Sequence, residues 1–226
     1  MVIPQILRKQ KFPIQSRMIH LEIVEQSELK DIQNYIEKHP IELNRYRPTV
    51  GVGRSQTWGI VSKRSMPPDL SRNSWRHSQL HFLLTEYAKK HVPIPYTSIQ
   101  VNQNLQCNFH LDKNNIGLSY IIAFGDFEGG ELTIGNYKHH IKYSPLLFDG
   151  SKEFHKTECF RGTRYSIVYH TLKSKPGWGP IKSLSNYEAV QQDGKWIIKC
   201  SDGTILTKNS GLPHILKGRK KNILTE

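Results

Sequence analysis

Residues 107–120 read CNFHLDKNNIGLSY, from Cys107 to Tyr120. His110, Asp112, Asn114 and Asn115 crowd into six residues, and the cluster runs straight into an apolar, strand-like segment. In an extended chain alternate side chains share a face, so His110 and Asp112 point the same way and bring an imidazole beside a carboxylate. Such a pair is either an ordinary loop between strands or part of a metal grip.

The surrounding sequence is β-rich. Beyond Pro95 it breaks into TSIQVNQN, LSYIIAF, GELTIG, YKHHIKY, PLLFDG and RYSIVYHT, rich in β-branched and aromatic residues. Turn pairs such as Gly129-Gly130 and Gly135-Asn136 separate them. Short strands at this spacing predict an antiparallel sandwich or barrel. Upstream, residues 27–39 (SELKDIQNYIEKH) predict a helix, with Ser27 as cap, Leu29, Ile32 and Ile36 on one face, and Pro40 as the stop. A second helix is predicted from Ser78 to about Lys90, with Leu80, Leu83, Leu84 and Tyr87 on one stripe. Residues 45–77 hold many Arg, Lys, Ser, Gly and Pro without periodicity, which predicts irregular, functional loop structure. After Lys173 a connection leads to a hairpin, YEAVQQDGKWIIKCSDGTIL, and a basic tail, KGRKKN. The expectation is one mainly β (α+β) protein: helical and loop support in 1–94, a β core in 95–175, and an extension in 176–226.

The 226 residues suffice for one well-filled core. No apolar run reaches the roughly 18 residues of a membrane helix, and MVIPQILRKQKF lacks a secretory h-region, so an intracellular protein, nuclear or cytoplasmic, is expected. Cys107, Cys159 and Cys200 are odd in number and far apart, which argues against a disulfide framework or a cysteine-rich zinc module. Thirty-two Lys and Arg against 19 Asp and Glu give a net charge of +13. A polyanionic partner fits that excess, nucleic acid being the commonest, although charge by itself carries no chemistry.

A third ligand would complete the two-histidine, one-carboxylate facial set of non-haem Fe(II) oxygenases. His155, in LLFDGSKEFHKTECF on a later strand, is the candidate. His-x-Asp pairs also arise by chance, so a fourth element matters. Nine residues past His155, Arg164 leads an alternating strand in which Arg164, Ser166, Val168 and His170 share one face and Tyr165, Ile167 and Tyr169 the other. An arginine inside a barrel is costly unless it meets an anion, and its planar fork suits a carboxylate. The plainer alternative is an outward-facing arginine at a strand end.

His110-x-Asp112, His155 and Arg164 within RYSIV together resemble the Fe(II)/2-oxoglutarate-dependent dioxygenase superfamily, over about residues 97–172. The resemblance implies a double-stranded β-helix (jelly-roll, cupin-like) with Fe(II) on His110, Asp112 and His155. It also implies 2-oxoglutarate and O2 as co-substrates, the distal carboxylate of 2-oxoglutarate lying on Arg164. Arg161 is the neighbouring competitor, outside the alternating run. Within the superfamily the pattern looks most like the TET/JBP group, which oxidises the methyl of 5-methylcytosine or thymine in nucleic acid. Its His-x-Asp-x-x-Asn is matched by Asn115 and its Arg-x-Ser by Arg164 and Ser166. By that likeness Asn115 contacts the target base, Ser166 touches the co-substrate, and His170, six residues past Arg164, stacks on the flipped base. The histidine some members carry two residues later is Leu172 here.

The implied partner is nucleic acid, with DNA the expected form and no membrane. The basic stretch of Arg54, Lys63, Arg64, Arg72 and Arg76, with Trp58 and Trp75 interleaved, suits phosphate gripping and base stacking. Its bland reading is a solvated loop with packed tryptophans. Two rivals stand beside the nucleic-acid enzyme. One is a prolyl-type protein hydroxylase, which shares the arginine spacing. The other is a non-catalytic basic β-domain in which the triad is coincidence.

Overall fold

The computed structural model describes residues 18–43, 50–63, 66–175, 187–192, 195–200 and 205–206. In chain order the elements begin with β1 (Ile19–His20), α1 (Gln26–Lys38), β2 (Gly51–Lys63), β3 (Met66–Leu70), α2 (Arg72–Arg76) and α3 (Ser78–His91). The barrel strands follow: β4 (Ser98–Cys107), β5 (Ser119–Gly129), β6 (Leu132–Ile134), β7 (Tyr137–His139), β8 (Leu146–Phe148), β9 (His155–Thr157) and β10 (Phe160–His170). Last come β11 (Tyr187–Gln192), β12 (Lys195–Cys200) and β13 (Ile205–Leu206).

Two antiparallel sheets face each other. The larger runs β1-β8-β5-β10-β4-β2-β3 and the smaller β7-β6-β9, the latter lengthened by a backbone bridge between His110 and His155. From β5 onward the chain passes back and forth between the two sheets: β5 in the larger, β6 and β7 in the smaller, β8 in the larger, β9 in the smaller and β10 in the larger. This is a double-stranded β-helix.

The strand pattern explains both layers of core. On β5 and β10 one set of alternate residues, Tyr120, Ile122, Phe124, Tyr165, Ile167 and Tyr169, packs outward against Leu29, Ile32 and Ile36 of α1 and Leu80 and Leu84 of α3. The other set, Ile121, Ala123, Phe127 and Val168, turns inward against Leu132 and Ile134 of the small sheet. SYIIAF is a continuous apolar run because both its faces are covered. The β5–β6 turn uses Gly129 and Gly130 at φ 74° and 69°, left-handed values that a Cβ disfavours.

Both sequence-read helices form within a residue or so of their expected limits, and the C-terminal strands pair as the hairpin pattern implies. Residue 25, not Ser27, is the α1 cap, and Glu25 makes no side-chain cap bond. The tail KGRKK lies outside the described residues. Residues 45–77 are not simply loop: β2 adds to β4 and carries β3 and the short α2. Trp58 and Ile60 of β2 face the helices, while Ser55 and Thr57 face a polar interior. The polar inner face is why the segment reads as loop. Trp58 is buried in the core, and Trp75 packs against it, so neither stands open to a base as the basic-loop reading required. Among the described residues no helix is long and apolar enough to cross a membrane.

One core group should weaken the fold in acid by a readable amount. His81 on α3 is 1% exposed, and burial pushes its pKa from 6.5 down to about 4, offset only slightly by the Ser74 backbone. The folded state therefore refuses a proton that the unfolded chain accepts between pH 6.5 and 4, and stability falls as pH drops through that window. From pH 7 to pH 5 the loss from His81 should be about 2 kcal/mol. Denaturant unfolding at both pH values should show the wild type losing about that much more than His81→Gln.

Candidate active site

β4 ends at Cys107, and the chain passes directly into the His110 bridge. The two histidines exchange backbone hydrogen bonds, His110 N to His155 O and His155 N to His110 O, each 3.1 Å. The backbone N–H of Asp112 donates to Gly150 O at 2.8 Å. His110 and Asp112 therefore converge through a bridge and a loop rather than by simple strand alternation. Their ligand atoms and that of His155 all lie within 4.8 Å of one another. The Asp112 carboxylate spans the pair, Oδ1 lying 3.9 Å from His110 Nε2 and Oδ2 3.8 Å from His155 Nε2. Gly150 closes the floor: an added Cβ there would sit 3.3 Å from the His155 ring and 3.5 Å from Asp112 Oδ2.

Each histidine is oriented through its far nitrogen. His110 Nδ1 lies 2.7 Å from Asn108 O and His155 Nδ1 2.9 Å from Glu153 O. A carbonyl only accepts, so each ring carries a proton on Nδ1, and in its neutral form turns an Nε2 lone pair to the site. Two imidazoles and one carboxylate, the rings backed by carbonyl partners, form a borderline donor set with open positions. The donor set fits Fe(II).

The same cavity, about 860 Å³, holds Arg164. Its side chain is 2% exposed, and neither Nε nor Nη2 has a hydrogen-bond partner among the described residues. Burial pushes the guanidinium pKa down to about 10, with Cys107 and Glu131 pulling the other way. It remains a cation at neutral pH. Phe127 and Phe160 stand 5.5 and 5.8 Å from it, and Gly130 leaves it room: a Cβ there would approach its Cδ and Nε to 2.9 Å. Arg161 lies in β10 too, but its side chain is exposed.

Ser166 is buried beside this seat and heads a polar ladder. Asn102 Nδ2 donates to Ser166 Oγ at 3.1 Å, Ser55 Oγ to Asn102 Oδ1 at 2.6 Å, Gln100 Nε2 to Ser55 Oγ, and Thr57 Oγ1 to Gln100 Oε1 at 2.6 Å. The sequence reading missed this ladder. Its trace was the alternate placing of Gln100 and Asn102 against Ile99 and Val101 in SIQVNQN. His170 is buried in the same cavity with no side-chain partner for Nδ1 among the described residues, and burial lowers its pKa although the Asp112 charge and the Val168 backbone resist. Asn115 lines the cavity half-buried, its backbone N–H held by Asp112 O at 2.8 Å. Arg72, Asn73, Arg76 and Lys175 are also among the cavity's lining, Arg76 pairing with Glu42 at 3.2 Å. Arg54 stands apart: it is exposed, is not among the cavity's lining residues, and donates to Ile41 O at 2.8 Å.

No family model matches this chain, and no curated protein matches it in sequence. Among solved structures it is similar to NgTET1 in complex with 5mC DNA (16% identity, 69% of this chain and 72% of that one, TM-score 0.46). It is also similar to a 2OG-Fe(II) oxygenase family oxidoreductase from Burkholderia pseudomallei (19%, 68% and 84%, 0.49) and to a Pseudomonas putida prolyl-4-hydroxylase (11%, 70% and 94%, 0.44). At identities and scores this low, function has to be read from the site's own chemistry.

Titration with Mn(II), followed by its paramagnetic resonance, should show one site on the wild type. Asp112→Ala should weaken that site at least about tenfold, since it removes the only charged ligand. The Tm should change little, because the Asp112 contact that holds the loop comes from the backbone. Undiminished Mn(II) affinity would remove Asp112 from the ligand set.

Proposed function

We propose that this chain is an Fe(II)- and 2-oxoglutarate-dependent dioxygenase that hydroxylates the methyl group of a modified pyrimidine, 5-methylcytosine or thymine, in nucleic acid. The observation that carries the reading is one cavity shared by the His110, Asp112 and His155 donors and by a buried guanidinium whose Nε and Nη2 meet no partner among the described residues. When bound, Fe(II) with 2-oxoglutarate and O2 supplies the oxidation: one oxygen atom enters a C–H bond while the oxoacid leaves as succinate and CO2.

The chain's own residues hold and orient the reactants. Arg164 takes the distal carboxylate of 2-oxoglutarate in its planar fork. Ser166 already accepts from Asn102, so its hydroxyl proton is available to the same carboxylate. Phe127 and Phe160 shield that pair from water, which strengthens it. The ladder from Ser166 to Thr57 fixes the wall without placing a charge near the reacting carbon.

Asn115 and His170 face the space left for the substrate. The Asn115 backbone is held by Asp112, leaving its amide, both donor and acceptor, for the edge of a flipped base. His170, kept neutral by burial, offers a flat ring for stacking. The +13 charge and the Arg72 and Arg76 rim suit a phosphate backbone entering alongside.

Protein with Fe(II), 2-oxoglutarate and O2 should convert a 5-methylcytosine or thymine oligonucleotide to its hydroxymethyl product, with matching succinate, when assayed by mass spectrometry. Hydroxylation of a prolyl peptide instead would move the substrate to protein, and no succinate with any substrate would end the enzyme reading. Arg164→Ala should raise the KM for 2-oxoglutarate more than about tenfold, while Arg161→Ala should leave it near wild type. Asn115→Ala should cut oligonucleotide oxidation at least about tenfold with 2-oxoglutarate affinity retained. A loss in 2-oxoglutarate binding instead would make Asn115 a co-substrate residue.

A further inference from the structure

β4 carries a bulge that re-aims its last residues. Ser98, Gln100 and Asn102 face the cavity, yet the next lining residues are Leu105 and Cys107, one step out of phase. Asn104 sits between them at φ 51°, and the β2–β4 register slips between Val52 and Arg54 at the same level. Bulges of this kind turn a side chain toward a site. Without the slip, Cys107 would share the helix-side face with Ile99 and Val101. The bulge residue also serves Arg164, whose backbone N–H donates to Asn104 Oδ1 at 2.8 Å.

Cys107 is therefore delivered to the Arg164 cavity. Its sulfur lies against Gly51, where an added Cβ would come within 3.0 Å of it, so glycine makes its place. It is half-buried and not in a disulfide. The independent sign that this place takes an anion is Arg164 itself, 2% exposed with Nε and Nη2 unpartnered among the described residues. Cys107 and Glu131 are the acidic groups whose charge favours the guanidinium cation. By reciprocity the guanidinium favours the thiolate, the nucleophilic form of cysteine.

We propose that Cys107 is an oxidation-sensitive modification site whose sulfenate competes with an incoming dicarboxylate for Arg164; this rests on Arg164 being the 2-oxoglutarate anchor. Hydrogen peroxide is the oxidant. The thiolate attacks one peroxide oxygen, the O–O bond breaks, and the departing hydroxide is protonated to water. Sulfur is oxidised by two electrons, peroxide is reduced by two, and Cys107 is left as a sulfenic acid, a state that thiols reverse. Ionised beside Arg164, it is an anion tethered where the carboxylate would sit.

The test uses full-length, metal-free protein treated with hydrogen peroxide, trapped with dimedone and read by peptide mass spectrometry. Cys107 should label at least about tenfold faster than Cys159, although Cys159 is the more exposed. Arg164→Gln should remove the excess. In unmutated protein, Mn(II) with 2-oxoglutarate should protect Cys107 and leave Cys159 labelled, a comparison that needs no variant to fold. Peroxide pretreatment should abolish calorimetric 2-oxoglutarate binding in the wild type and spare it in Cys107→Ser. Equal labelling of the two cysteines, or oxidised wild type that still binds 2-oxoglutarate, would overturn the proposal. If untreated protein binds no 2-oxoglutarate, the anchor role of Arg164 fails, and Arg164-dependent labelling then decides the modification site by itself.

Discussion

Two backbone hydrogen bonds between His110 and His155 hold the site together. They extend the small sheet by one bridge, close the barrel mouth, and place the two imidazoles with ring centroids 4.3 Å apart. Because the contact is main chain to main chain, the bridge itself does not depend on the ligand side chains. The neighbouring Asp112–Gly150 bond has the same character. The backbone carbonyls of Asn108 and Glu153 then set each ring's tautomer. A site built this way loses its chemistry before it loses its shape.

The second constraint is electrostatic. A buried guanidinium whose Nε and Nη2 meet no partner among the described residues is among the more expensive features a fold can hold, since losing one member of a buried pair costs about 3–5 kcal/mol. Arg164 is kept in that condition by a rigid strand, two flanking phenylalanines and a glycine that makes room. The stability of β10, paired on both sides by β4 and β5, supports the strain. Such a cost suits a group that meets its anion only when a ligand arrives. In the same cavity burial lowers the pKa of His170, although the Asp112 charge resists.

Much of this was legible because β-strands report their faces by alternation. RYSIVYH separated Tyr165, Ile167 and Tyr169 from Arg164, Ser166 and His170, and the two sets occupy the helix-side core and the cavity. β2 was illegible for the complementary reason. Its inner residues line a polar cavity, so Ser55 and Thr57 gave the segment the look of a loop, and only Trp58 and Ile60 betrayed a buried face. The Asn104 bulge left no trace in the pattern, because a single left-handed asparagine costs little and changes no composition. Hence Cys107 passed unnoticed as a cavity residue. Arg54, read from its basic neighbourhood, stands exposed outside the cavity and donates one N–H to the Ile41 carbonyl.

The central claim is that one end of the cavity binds metal and the other binds the far carboxylate of a dicarboxylic oxoacid. Comparing 2-oxoglutarate with 2-oxobutanoate, which lacks that carboxylate, tests it directly by calorimetry on the Mn(II)-loaded protein and its Arg164→Ala variant. The wild type should prefer 2-oxoglutarate by at least about 100-fold, and the variant should bind the two ligands within a few-fold of each other. Equal affinities in the wild type, or a preference that survives without Arg164, would contradict the account.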